Sequence, residues 1–88
     1  MNNKPVYWEN TEDGHSKFWA ASIIEKAEQT NVPNSGDTKY IYILVRKWGK
    51  IGIKPQTMEQ KFDNKNDAET MLNELIYDKE SKGYKPVF

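Results

Sequence analysis

Cysteine is absent from the 88 residues. Its absence excludes disulfides, thiolate metal sites and cysteine nucleophiles together, and it fits a reducing compartment. Histidine occurs only as His15. That residue follows Gly14 in a predicted turn and reads as solvated, and one imidazole without thiolates makes no zinc site of the usual kind. Overall charge is lacking too: 13 cations balance 13 acids. No apolar run approaches the roughly 20 residues that a membrane span needs. Met1-Asn2-Asn3-Lys4-Pro5 lacks the apolar core of a signal peptide, and Met1 suggests a stand-alone protein. Neither a Walker A loop nor a dinucleotide fingerprint occurs. Gly49-Lys50-Ile51-Gly52 has the spacing of a KH loop, but that loop needs a helix on either side and here a strand pattern precedes it. No nucleophile lies near a base in the pattern. Asp67, Glu69, Glu74 and Asp78 fall off the apolar stripe of a predicted helix and read as a solvated face, not as an acid–base pair. These absences predict a soluble, cytoplasmic, non-enzymatic protein without cofactor or metal.

What is present fits a single domain over residues 1–88. A chain of this size buries roughly 60 % of its extended surface, so its core is small. Aromatic residues supply much of that core, with three Trp, five Tyr and three Phe. The charge is unevenly spread. Residues 1–36, 37–65 and 66–88 carry local balances of −2, +4 and −2. The middle segment, with Lys39, Arg46, Lys47, Lys50, Lys54, Lys61 and Lys65, is therefore basic within a mildly acidic frame. Such a segment is either a solvated lysine-rich hairpin or an anion site.

Ala68, Met71, Leu72, Leu75, Ile76 and Lys79 follow the spacing of one buried helical stripe. With Asn66 as N-cap, Glu69 completing a capping box and Gly83 closing the C-terminal end before Tyr84, the helix is expected over about 67–82. "KYIYILVRKW", residues 39–48, is the clearest strand. Its faces alternate, Tyr40, Tyr42, Leu44, Arg46 and Trp48 against Ile41, Ile43, Val45 and Lys47, and apolar groups on both predict a central strand at least partly covered on each side. Lys54-Pro55 marks a turn, and Gln56–Phe62 returns as a strand. Val6-Tyr7-Trp8 reads as a strand, Glu12-Asp13-Gly14 as a turn and Thr30–Thr38 as a loop. "KFWAASIIEKAEQ" stays ambiguous: its Ala, Glu and Lys favour a helix, whereas its alternation tolerates a strand. Trp8, Trp19, Phe18, Phe62, Tyr40, Leu72 and Leu75 are the expected core.

The order of these landmarks resembles the WGR domain from about Val6 to Tyr84. The resemblance rests on Lys17-Phe18-Trp19, Trp48-Gly49-Lys50-Ile51-Gly52, Gln56, Phe62, Ala68 and Lys79…Lys82-Gly83-Tyr84. It implies an α+β fold, an antiparallel sheet of about four to five strands with the helix packed across it, and it tips residues 17–25 toward strand. It also implies a non-catalytic module that binds DNA ends and neighbouring domains. Three positions depart from the family pattern: Lys50 stands for the signature Arg, Ser16 for an Asn that helps hold a terminal phosphate, and Pro55 for a Gly. Lysine keeps the charge of arginine but loses its planar fork.

Trp48 has two readings. Its ring plugs the open end of the sheet with Lys50 solvated, or it is presented as a stacking platform beside phosphate-binding lysines. The second makes Trp48, Lys50, Lys47, Arg46, Lys17, Ser16 and Lys54 the candidate nucleic-acid-binding residues. The rival expectation is a protein-interaction module, a small adaptor or inhibitor, which zero net charge favours.

Overall fold

The computed structural model describes residues 7–29 and 38–87. Five strands form one antiparallel sheet: β1 (Tyr7–Asn10), β2 (Lys17–Gln29), β3 (Thr38–Lys50), β4 (Gln56–Phe62) and β5 (Lys85–Pro86), in the order β4-β3-β2-β1-β5. Among the described residues one helix, α1 (Lys65–Ser81), packs on one face, and Glu12–Gly14 makes a 3-10 turn between β1 and β2. The Thr30–Thr38 loop lies outside the described residues except for Thr38, which begins β3, and Val6 lies outside them before β1. No helix among the described residues is long and apolar enough to cross a membrane.

Residues 17–29 are strand throughout, despite their helical propensity. All of β2 pairs with β3, from Lys17↔Lys50 to Gln29↔Thr38. Propensities differ by tenths of a kcal/mol per residue, and cross-strand pairing with burial outweighs them. β1 covers β2 only over Lys17–Ala20, and β4 covers β3 only over Tyr42–Trp48. The β2–β3 ribbon therefore runs on beyond both neighbours.

That geometry explains two corrections to the expected core. Tyr40 shares the helix-facing side of β3 but lies beyond the end of β4, and it is 48 % exposed. Phe18 belongs to the opposite face by alternation and stacks on Tyr7, with ring centroids 5.5 Å apart. The core consists of Trp8, Trp19, Ala21 and Leu44, with Ile23, Trp48, Phe62, Met71, Leu72, Leu75, Ile76 and Tyr84 packed against it. Trp8 and Trp19, opposite one another on β1 and β2, meet at 5.0 Å with a 54° tilt. Ala68 is wholly buried; its small side chain lets the helix approach the sheet.

The expected helical stripe is the buried stripe, but its cap is corrected. Asn64, not Asn66, is the N-cap: its Oδ1 accepts from the Asp67 backbone N–H at 2.8 Å, and its Nδ2 donates to the Asp67 carboxylate at 2.9 Å. Asp67 takes the reciprocal place expected of Glu69, and the helix starts at Lys65. At the other end Gly83 has φ +100°, its N–H donates to Glu80 O, and the Tyr84 N–H reaches back to Lys79 O at 3.1 Å. These bonds form the Schellman closure. β3 is central, as expected, but helix covers only one of its sides. On the other face Ile41 is nonetheless buried and Ile43 and Val45 are half-buried, so β3 is partly covered on both sides, while Ile24 of β2 is exposed.

Candidate nucleic-acid interface

One end of the helix-facing side is built where β2 begins and β3 ends. The register sets Lys17 opposite Lys50 and Trp19 opposite Trp48. Trp19 is sealed, while Trp48, one strand farther from β1, is half-buried against the core. β4 meets Trp48 only through Gln56, the first residue of that strand, so the sheet stops there. The turn that follows needs glycine: Gly52 has φ +86°, and a side chain there would be strained. The Ile53 N–H donates to Lys50 O, and the Ile51 N–H donates to Ser16 O at 3.0 Å, tying the turn to the start of β2.

Beside Trp48 the surface opens into a cleft of about 260 Å³ lined by Trp19, Arg46, Trp48, Met58, Leu75, Asp78 and Lys79. Arg46 reaches across β4. Its guanidinium donates to Met58 Sδ at 3.0 Å and to Gln60 Oε1 at 3.4 Å, and its Nε is buried without a hydrogen-bond partner. Lys79 comes from the last turn of α1 and lies over the Tyr84 ring at 5.4 Å. Burial holds the Lys79 amine below the ordinary lysine range. The nearby positive charges of Lys82, Arg46 and Lys17 push it further down, and Asp78 partly offsets them. Asp78 is itself shared with Lys82 at 3.1 Å. The cleft thus sets an aromatic wall beside two cations, Arg46 and Lys79, and one carboxylate, Asp78.

The seven candidate residues do not all come together. Arg46, Trp48, Lys17 and Lys50 share the helix-facing side at this end, with Lys17 and Lys50 exposed. Ser16 and Lys54 are exposed in the segments that frame the same end, one before β2 and one after the turn. Lys47 is apart from them. Alternation along β3 sends it to the opposite face, where with Ala20, Ala21, Ser22 and Val45 it borders a smaller cleft of about 170 Å³. Lys79 and Met58 were not among the candidates. Lys79 had a signal in the sequence, a lysine continuing an apolar helical stripe. Met58 had none, because its place is set by its register opposite Arg46. Among the described residues no three His, Cys, Asp or Glu side chains stand together to hold a metal.

Comparison with known proteins gives a family. The model of the WGR domain matches residues 5–87. A 43-residue stretch, 49 % of this chain, is 42 % identical to the uncharacterized protein y4dW of Sinorhizobium fredii, strain NBRC 101917 / NGR234. The match takes in 21 % of that relative, so this chain corresponds to a minor part of it. No solved structure matches the chain.

Proposed function

The chain belongs to the WGR domain family, and from that premise we propose that it is a non-catalytic module binding nucleic acid at DNA ends or phosphates. WGR domains bind nucleic acids or partner proteins, and the local geometry favours the first. The observation that carries the reading is the meeting of Arg46 and Lys79 in one cleft walled by Trp48, at the end of the sheet where Lys17 stands opposite Lys50. A terminal base or sugar stacks on the half-open indole, and the cations neutralise the flanking phosphates. Stacking on an aromatic side chain contributes about 1–3 kcal/mol per base, and each phosphate contact releases counterions, which makes affinity salt-dependent. The acids that cancel the net charge lie mainly in the flanking segments of the sequence, so a local positive field coexists with overall neutrality.

Fluorescence anisotropy with labelled blunt, nicked and single-stranded DNA tests the proposal. Binding should weaken steeply with salt, with a log–log slope of roughly −3 for three to four phosphate contacts. Trp48→Ala should weaken it by about tenfold, the equivalent of one stacked base. Because Trp48 also packs on the core, Lys17→Glu and Lys50→Glu serve as the companion variants. Both positions are exposed, and both variants should bind more weakly without loss of thermal stability. Absence of binding at about 50 mM salt, where phosphate contacts still hold, supports instead the protein-interaction reading that zero net charge favours.

A further inference from the structure

We propose that the outer edge of β4 pairs with β4 of a second copy of this chain, antiparallel, about a twofold axis at Gln60. The inference does not rest on nucleic-acid binding. β4 is the last strand of the sheet, and among the described residues its outer backbone N–H and C=O groups face no strand. Exposed edges of this kind are ordinarily blunted by proline, bulges, inward-pointing charge or charged side chains on the edge, and of these β4 carries only Glu59 and Lys61, charges of opposite sign that a second copy can match. β4 has neither proline nor a bulge within Gln56–Phe62, and its seven residues pair continuously with β3.

The side chains select one occupant. Directly opposed residues of an antiparallel pair share a face. With the axis at Gln60, Glu59 of each copy stands against Lys61 of the other on the face away from the helix. On the helix-facing side Met58 stands against Phe62, again twice. Met58 is apolar and yet 47 % exposed, and Glu59 and Lys61 are both exposed and in no ion pair among the described residues. Neighbouring registers are repelled. Moving the axis to Glu59 sets that carboxylate against its own copy. Moving it to Lys61 opposes the two lysines and puts Glu59 against Asp63. Like charges directly opposite destabilise a pair, and a one-step slip is therefore disfavoured. The contact is isologous and uses both β4 edges, so it closes at two copies. The sheet's other edge is β5, only Lys85–Pro86, whose proline lacks an N–H to extend the ladder.

Sedimentation velocity of the full chain from micromolar to millimolar concentration tests this, with circular dichroism confirming the fold of each variant. Wild type should show a concentration-dependent monomer–dimer equilibrium. Glu59→Lys and Lys61→Glu should each weaken it by about tenfold or more, since two attractive pairs become two repulsive ones. Mixing the two single variants, or combining both changes in one chain, should restore dimerisation, because each again sets opposite charges face to face. A wild type that stays monomeric throughout the range overturns the proposal. So do single variants that dimerise like wild type, or a double variant that remains as weak as the singles.

Discussion

Trp8 lies 1 % exposed in the core, and its indole N–H needs an acceptor there. It finds one in Glu80 Oε2 at 3.0 Å, 72 residues along the chain, in the last turn of the helix. This bond ties β1 to α1. Glu80→Ala leaves the indole donor without a protein partner and should cost about 1–2 kcal/mol, read as a lower urea midpoint with an unchanged slope. A second long tie, Lys85 Nζ to Glu12 Oε1 at 2.8 Å, joins β5 to the 3-10 turn. The hydrogen bond to Lys85, then its charge, hold the Glu12 carboxyl below the ordinary carboxylate range, and the same contacts raise the Lys85 amine. A depressed acid adds stability above its unfolded value and loses it as pH falls through the folded value. A raised amine adds stability below its unfolded value and loses it as pH climbs through the folded one. The pair therefore acts across the neutral range and fails at both ends, with a small energy because both groups are fully exposed. In Lys85→Met, the Glu12 carboxyl followed by NMR should titrate back in the ordinary range. An unchanged titration would mean that the ion pair is not its cause.

At the scale of elements, α1 depends on its ends. The N-cap Asn64 satisfies a helix N–H that has no partner within the helix, and Asn64→Ala should lower stability by about 1 kcal/mol, measured by thermal or urea denaturation. The same helix shows what was legible in the sequence. Its stripe and its glycine stop follow from spacing alone, because the period of the apolar residues is long and unbroken; its packing across the sheet is what the family resemblance implies. Its start was misplaced by two residues because Asn64 and Asn66 are chemically equal caps, and only the backbone bend after Phe62 chooses between them. β2 stays ambiguous on its own residues, whose alternation tolerates a strand. Its Ala, Glu and Lys speak for helix, and strand wins through thirteen cross-strand partners in β3, a non-local term that no local window contains. The resemblance to a family supplied that term in advance. At the candidate site, alternation along β3 places Arg46 and Trp48 on one face and Lys47 on the other. The contribution of Lys79 depended on where the helix end lands, and that is a tertiary fact.

On the scale of the whole molecule, the fold turns a neutral chain into a polar object. The sheet gathers the end of β3 and the start of β2 into one basic rim, and the helix delivers Lys79 to the cleft that the half-buried Trp48 walls. The central claim is that this rim, with Trp48 in it, meets nucleic acid. The most direct test is a titration of the nitrogen-15-labelled chain with a blunt, end-phosphorylated DNA duplex at low salt, followed by NMR. The account predicts that the Trp48 indole N–H, the Arg46 Nε–H and the Lys17 and Lys50 amides shift together, while the Trp8 indole N–H, held by Glu80, stays in place. A spectrum in which Trp48 and Arg46 do not move, whether because nothing shifts or because the shifts gather on the opposite face around Lys47, would contradict it.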